Sequence, residues 1–160
     1  MLRSVDEFEF RRAHASDVAH VAAHLCAGEQ ITFRDLYGDA DPAERVADTV
    51  RRSVECWAAV LNGEPLALFG VVRMSLLGGD GALWFLATDE AFRHPGALIR
   101  GGRKYVSELL TRFDSLGGRV DARHQGTVKW VRLLGFDVRP AEAESGVLFH
   151  RFEKKADHVL

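Results

Sequence analysis

Residues 82–110 constrain the fold more than any other stretch of this chain. They begin with an apolar run at residues 82–87, which is long enough for a β-strand and too short for a helix. A polar, glycine-bearing loop follows and carries four basic side chains, Arg93, His94, Arg100 and Arg103. Apolar residues then recur at helical spacing, at Tyr105, Val106, Leu109 and Leu110. This order predicts a strand, a basic turn and a helix.

The beginning of that helix is a candidate anion site. The first turn of a helix leaves backbone N–H groups without an intrahelical acceptor, and the helix dipole favours negative charge there. Gly101 and Gly102 accompany the arginines at this point. We therefore predict that the turn binds a phosphate-bearing ligand. The alternative is that the two glycines only permit a tight connection and that the arginines are solvated.

Composition and charge narrow the class of protein. The chain has 160 residues, 47% hydrophobic and 28% charged, which is typical of one soluble globular domain over residues 1–160. A net charge of −2 gives no reason to expect nucleic-acid binding. Residues 1–10 are too acidic for a signal peptide, and the apolar runs are too short to span a membrane, so we expect a cytoplasmic protein. Cys26 and Cys56 lack metal-ligand spacing and are expected to be free thiols.

The first third of the chain predicts one strand and two helices, with an ambiguous stretch between the helices. Phe8 and Phe10 alternate with charged residues, as in a half-buried strand. Ser16 or Asp17 is expected to cap the next helix. Its His20 and His24 have i, i+4 spacing, but no third metal ligand is visible nearby. Residues 30–37 are ambiguous and are interpreted as a short helix ended by Gly38. The pair at residues 41–42 predicts a cap and first position of a helix with the buried stripe Val46, Val50 and Val54.

The remainder predicts strands interrupted by two helices. Asn62 and Gly63 are a strong hairpin signal between strands at residues 56–61 and 65–72. Gly117 and Gly118 are expected to break the chain before a short strand. The later elements are predicted as a strand at 119–122, a helix at 127–134 and strands at 136–139 and 147–152. The result is an α/β (α+β) domain with a mixed sheet of seven strands.

This element order, together with the sequence WVRLLGF at residues 130–136, resembles the GNAT superfamily of acyl-CoA-dependent N-acyltransferases. The resemblance covers nearly the whole chain and implies a mostly antiparallel central sheet flanked by helices. It also implies acetyl-CoA as cofactor. Backbone groups of Leu86, Ala87 and Thr88 would then pair with the pantetheine. The residues implied at the pyrophosphate are Arg93, Arg100, Gly101, Gly102 and Arg103.

A narrower resemblance involves four segments: ECWAAVLNGEPLALFGVV, LATDEAFRHPGALIRGGRKYVSELL, VDARHQGTVKWVRLLGF and FHRFE. They are similar to a GNAT subgroup of short-tailed bacteriophages and prophages, the internal virion (core) A proteins and phage-encoded acetyltransferases. This resemblance implies a phage origin, and a location in the infected-host cytoplasm or in the virion. It also implies phage virion proteins as partners, or a second copy of the chain in a homodimer.

The sequence departs from the GNAT pattern in its phosphate loop, which usually reads Arg/Gln-x-x-Gly-x-Gly/Ala. Alignment on Gly102 places Ala97 and Arg100 at the two earlier positions, and alignment on Arg93 and Gly96 places Leu98 at the last position. Neither alignment completes the motif. Trp130 lies near the position where many GNAT enzymes have a tyrosine that protonates the leaving thiolate, and an indole N–H cannot serve as that acid.

Transfer of an acetyl group to an amine also requires a base. The strand at residues 82–87 carries no carboxylate, so the candidates are Asp89 and Glu90 at its end and His124 after VDAR. Each has a structural alternative, since the carboxylates can cap a turn and a loop histidine is often structural. Two functions stay open: an N-acetyltransferase acting on an unidentified small-molecule or protein amine, and a non-catalytic protein of phage assembly.

Overall fold

The computed structural model describes residues 8–157, and these form one mixed sheet of eight strands with helices on both faces. Residues 1–7 and 158–160 of the predicted domain lie outside the described residues. The strands are β1 (Phe8–Arg12), β2 (Glu55–Leu61), β3 (Glu64–Arg73), β4 (Asp80–Ala87), β5 (Ser115–Asp121), β6 (Asp137–Val138), β7 (Glu142–Glu144) and β8 (Val147–Lys155). Their spatial order is β1-β2-β3-β4-β5-β8-β6, with β7 also paired to β8. Only the β4–β5 pair among these is parallel. The predicted fold class is confirmed.

The helices divide between the two faces of the sheet. They are α1 (Ala15–Ala23), α2 (Ala27–Tyr37), α3 (Pro42–Arg52), α4 (Pro95–Leu109) and α5 (Gln125–Leu133), with a short 3-10 helix at Asp89–Arg93. Helices α1 and α3 bury Val21 and Val46 against Leu68 of the sheet. Helices α4 and α5 bury Leu109 and Val128 against the opposite face. Each such side chain contributes about 1.5–3 kcal/mol through its removal from water.

Several local signals produce the predicted elements. Asn62 and Gly63 both have positive φ, 49° and 84°, as the two-residue turn between β2 and β3 requires. The Asp41 carboxylate accepts the Ala43 N–H at 3.0 Å, with Pro42 at the first position of α3. Gly38 ends α2 as expected. These features are encoded by adjacent residues, and the sequence predicts them correctly.

Some predicted helix boundaries are wrong, and one strand was not predicted. Helix α1 begins at Ala15, so neither Ser16 nor Asp17 is its cap; the Asp17 carboxylate accepts the His14 N–H at 2.7 Å from inside the first turn. Helix α3 ends at Arg52, which leaves Val54 outside the buried stripe and 47% exposed. An eighth strand, β7, forms because Ser145 and Gly146 adopt positive φ and turn the chain back into β8.

The prediction that Gly117 and Gly118 break the chain is wrong, because both residues lie within β5. A Cβ on Gly118 would lie 2.7 Å from the Leu83 carbonyl oxygen and 2.5 Å from the Phe152 ring. Glycine is therefore needed here because the neighbouring strands approach closely.

Helix α4 begins earlier than predicted, at Pro95, a residue favoured at the first helical position. Gly101 and Gly102 consequently lie inside the helix and not in the turn before it. A Cβ on Gly101 would lie 2.1 Å from the Phe10 ring, and one on Gly102 would lie 2.9 Å from Trp130. The two glycines allow α4 to approach β1 and α5, and this packing outweighs their low helix propensity.

We expect Gly101→Ala to destabilise the fold by about 1–3 kcal/mol, because the added methyl group overlaps the Phe10 ring. Gly126→Ala in α5 is the matched control, since nothing lies within 4 Å of its Cβ position. That control should stabilise the fold by about 0.4–1 kcal/mol. Urea unfolding of both variants measures the difference, and equal effects of the two substitutions would contradict the packing role of Gly101.

Candidate active site

The sheet opens between its two parallel strands. Strands β4 and β5 are paired only from Asp80–Ser115 to Ala82–Gly117, although β4 continues to Ala87 and β5 to Asp121. Strand β4 keeps its antiparallel pairing with β3 along this whole length. The second half of β4 therefore has a free backbone edge that faces away from β3.

A cavity of about 500 Å³ occupies this opening. Its volume is typical of a small-molecule site. The lining residues come from both faces of the sheet. On one face they include Leu98, Tyr105 and Val106 of α4 and Trp130 and Val131 of α5. On the other face they include Glu29, Thr32, Phe33, Leu36 and Tyr37 of α2, with His124 and Asp121 beside them. The cavity thus joins the α4–α5 side to the α2 side.

The sequence predicted that backbone groups of Leu86, Ala87 and Thr88 bind the pantetheine. Backbone groups alternate in direction along β4, so only some of these three residues face the opening. The Thr88 N–H donates to the Leu66 carbonyl of β3 at 2.9 Å. Residues two positions apart point the same way, so Leu86 also faces β3, while Ala87 and Phe85 face the opening. The Ala87 carbonyl accepts the Cys26 N–H at 2.9 Å. Phe85, which the sequence did not single out, belongs to the free edge.

The acidic and basic side chains of the turn after β4 form ion pairs with each other. Glu90 lies 3.2 Å from Arg93 and 3.4 Å from His94. The Arg93 side chain is 76% exposed. Asp89 and Glu90 do not line the cavity in the described part of the chain. Of the three candidate bases, only His124 lines the cavity in the described residues.

The other two predicted phosphate ligands lie in different places. Arg100 is one turn after Gly96, and its guanidinium nitrogen lies 3.4 Å from the Cβ position of that glycine, over the first turn of α4. Arg103 instead donates to the Leu133 carbonyl at 3.2 and 3.3 Å, at the C-terminal end of α5. The structure thus brings Arg100, and not Arg103, to the start of α4.

His124 directly precedes α5, three residues after the end of β5, and lies against α2. Its Nε2 is 3.4 Å from the Thr32 Oγ1, and its Nδ1 is 4.0 Å from the Glu29 carboxylate. Gly28 makes this possible, because a Cβ there would lie 2.5 Å from the His124 Nε2. Thr32 also donates to the Asp121 carboxylate at 2.7 Å. We call Glu29, Thr32, Asp121 and His124 the α2 cluster.

The two carboxylates of the α2 cluster have opposite electrostatics. Burial alone would raise the pKa of Asp121, but hydrogen bonds from Arg123 and Thr32 outweigh it and hold that pKa well below its usual range. Burial raises the pKa of Glu29 to about 7, and the negative charge of Asp121 adds to this shift. Asp121 is therefore a fixed negative charge, whereas Glu29 exchanges a proton near neutral pH.

Sequence reasoning missed Glu29 because the short helix was expected to begin at Gln30. The helix begins at Ala27, and Glu29, Thr32, Phe33, Leu36 and Tyr37 then follow i, i+3, i+4, i+7, i+8 spacing. That spacing was the signal available in the sequence.

Trp130 and Tyr105 both lie inside the structure. The Trp130 ring centroid is 4.6 Å from that of Phe85, and its buried indole N–H has no hydrogen-bond partner within residues 8–157. Tyr105 is 7% exposed and packs against Phe69 with ring centroids 4.7 Å apart, which confirms that it is a core residue.

Two other sequence features have plain outcomes in residues 8–157. His20 and His24 stack with ring centroids 4.4 Å apart, and no group of three metal-ligating side chains is found in that range. No helix there is long and apolar enough to cross a membrane.

Comparison with known proteins gives matches in structure but not in sequence. No protein-family model matches the chain, and no curated protein matches its sequence. An N-acetyltransferase from Staphylococcus aureus Mu50 matches with a TM-score of 0.71 and 15% identity, over 94% of this chain and 99% of that one. AAC(6')-Ib in complex with ribostamycin and coenzyme A matches with a TM-score of 0.69 and 14% identity, over 92% and 93%.

A third structure is the acetyltransferase of the GNAT family from Streptococcus pneumoniae. It matches with a TM-score of 0.63 and 15% identity, over 93% of this chain and 99% of that one. Identities this low establish the arrangement of the elements and not the reaction. Since the matches cover nearly the full length of both chains, this protein has the GNAT fold.

Proposed function

We propose that this protein is an acetyl-CoA-dependent N-acetyltransferase that acts on an amine. The observation that carries the proposal is the opening between β4 and β5, which leaves a free strand edge beside a cavity reaching both faces of the sheet. In the structural neighbour AAC(6')-Ib, a protein of the same fold is bound to coenzyme A.

The donor fits the α4 side of the opening. The free edge of β4 offers the Phe85 backbone groups and the Ala87 N–H to the amides of the pantetheine arm, whereas the Ala87 carbonyl is already bonded to the Cys26 N–H. The exposed first turn of α4 at Gly96, with Arg100 over it, offers N–H groups and a guanidinium to the pyrophosphate. Gly101 and Gly102 serve the packing of the helix. When bound, acetyl-CoA supplies the acetyl group as a thioester.

The acceptor side of the cavity is the α2 cluster. Of the three bases predicted from sequence, only His124 lines the cavity, which supports proton removal from the amine on this side. Trp130 occupies the helix wall beside Phe85, and its N–H is not an acid that can protonate a thiolate. The leaving thiolate therefore takes its proton from water.

A second candidate function is a non-catalytic protein of phage assembly. Two observations favour it. Leu76 and Leu77 in the turn between β3 and β4 are 95% and 102% exposed, as suits contact with another protein or a second copy of the chain. Glu90 also neutralises part of the basic turn through Arg93 and His94.

Acetyl-CoA is expected to stabilise the fold. At 100 times its dissociation constant, a ligand that binds only the native state contributes about 2.7 kcal/mol. The melting temperature should therefore rise with acetyl-CoA concentration and remain unchanged with the same concentration of inorganic phosphate. A melting curve unmoved by millimolar acetyl-CoA would count against N-acetyl transfer and in favour of the assembly function.

Arg100→Ala should weaken coenzyme A binding by about 1.5–3 kcal/mol, the range for a hydrogen bond to a charged group. Its effect on the melting temperature should be small, since the side chain is exposed. Arg103→Ala is the matched control. It removes hydrogen bonds to the Leu133 carbonyl and should cost about 0.5–1.5 kcal/mol of stability without weakening binding. Calorimetric titration separates the two, and equal losses of affinity would exclude a specific role for Arg100.

Thiol release from acetyl-CoA across a panel of amines distinguishes the candidate bases. His124→Ala should lower turnover by about 10²-fold or more, because it removes a cavity-lining side chain that lies against Glu29 and Thr32 of the α2 cluster, where proton removal is proposed. Asp89→Ala and Glu90→Ala should leave turnover close to that of the unchanged protein, since both carboxylates lie outside the cavity. Loss of turnover in either of these variants, with the fold intact, would return the base to the turn after β4.

A further inference from the structure

We propose that Glu29 takes the proton from the acceptor, and that the acceptor is an amine whose apolar body lies between α2 and the sheet. This inference deepens the proposed N-acetyl transfer and rests on it.

Helix α2 is placed so that the face carrying Glu29 lines the cavity, while Phe33 of the same face also packs against the core around Leu68. Thr32 is the buried residue of the helix, and its hydroxyl is tied to Asp121. An amphipathic helix normally covers the core with such a face. Here the same face forms the wall of a cavity, which leaves room for a ligand.

The carboxylates that line the cavity differ in their cationic partners. Among the cavity carboxylates, Asp121 lies 2.7 Å from Arg123, and Glu144 lies 2.6 Å from Arg119. Among the described residues, Glu29 has no arginine or lysine within 4 Å, and its ion-pair contact there is with His124 at 4.0 Å. Its side chain is only 14% exposed. A buried carboxylate without a cationic partner is a fitting place for an ammonium group.

Glu29 has a higher proton affinity than an ordinary glutamate. Burial raises its pKa to about 7, so the group can take up and release a proton at neutral pH. The ionisable groups around it are Asp121 at the end of β5, His124 just before α5, Cys26 at the start of its own helix, and Asp89 near Cys26. Arg123 belongs to Asp121 and does not contact Glu29. His124 is a positioning residue in this arrangement, since it lies against Glu29 and Thr32.

The cavity next to Glu29 is suited to an acceptor with an apolar group attached to its amine. The wall beyond Glu29 is aromatic and aliphatic, with Phe33, Leu36 and Tyr37 from α2, Trp84 from β4 and Phe149 from β8. An apolar group that enters here leaves water and gains contact with these side chains. A small polar amine gains neither.

The bound ammonium first gives one proton to the Glu29 carboxylate, which releases it to solvent. The neutral amine nitrogen then forms a bond to the carbonyl carbon of the thioester, and the carbon–sulfur bond breaks with its electron pair going to sulfur. The second proton that the nitrogen loses goes to the Glu29 carboxylate, ionised again, and then to solvent. The thiolate takes one proton from water, so the products are an N-acetylamine and free thiol.

The first test measures stability and needs no ligand. Between pH 5 and 7 the unfolded chain has already released the Glu29 proton, while the folded protein still holds it, so this group makes stability fall as pH rises. We expect Glu29→Gln to abolish that fall and to raise the melting temperature at pH 8. Glu44→Gln, which alters an exposed carboxylate on α3, should change neither. An unchanged pH profile in Glu29→Gln would overturn the inference.

The second test uses 2-phenylethylamine as the apolar probe and ethanolamine as its polar counterpart. The unchanged protein should bind 2-phenylethylamine at least tenfold more tightly than ethanolamine, and above pH 7 Glu29→Gln should lose at least tenfold of that affinity. Equal binding of the two amines, or equal binding by Glu29→Gln, would overturn the inference.

Turnover separates this inference from the proposed function. Acetyl transfer to 2-phenylethylamine should fall at least 10²-fold in Glu29→Gln, while the melting shift with acetyl-CoA persists. Transfer that continues in Glu29→Gln would overturn the role of Glu29 and leave the protein an N-acetyltransferase. If acetyl-CoA does not bind the unchanged protein, the proposed function is wrong, and the role of Glu29 in transfer falls with it.

Discussion

The candidate site depends on the unequal pairing of β4, which is hydrogen-bonded to β3 throughout but to β5 over three residue pairs only. One residue beyond the last pair, Ala82 with Gly117, Gly118 still lies close to the Leu83 carbonyl, because a Cβ there would be 2.7 Å from that oxygen. Strand β5 is meanwhile held by β8 along its whole length. Strand β4 is thus hydrogen-bonded to β3 and strand β5 to β8, so both strands remain part of the sheet although they separate from each other.

The helices on the two faces are attached by different means. Helix α4 approaches the sheet so closely that Gly101 touches the Phe10 ring, and its apolar residues are buried. Helix α2 packs through Phe33 and is also held by polar contacts: Thr32 donates to Asp121 in a buried hydrogen bond, and Asp35 pairs with Arg123 at 2.8 Å on the surface. A helix secured by packing has little freedom to move. The exposed Asp35–Arg123 ion pair is weakened by salt, so the α2 wall of the cavity is expected to respond to ionic strength more than the α4 wall.

Features encoded by neighbouring residues could be predicted from sequence, and features that depend on distant partners could not. The turn at Asn62 and the cap at Asp41 were predicted because the relevant groups are adjacent. Gly101 was taken for part of a turn because nothing in the sequence shows that Phe10 lies against it. The site follows the same rule: His124 was found through a motif, whereas Glu29 is special only because its surroundings in the fold bury it near Asp121.

Two of the three tryptophans line the cavity, and they do so from opposite faces of the sheet. Trp130 stands beside Phe85 on the α5 side, and Trp84 lies on the side of α1 and α3. Trp57, the third, does not line the cavity and packs against Tyr105 in the core. Indole emission changes with the polarity around the ring, so the molecule carries its own optical reporters. If one cavity tryptophan is substituted at a time, a change in the fluorescence emission of the remaining one would show whether a ligand fills the α5 half or the α2 half of the cavity.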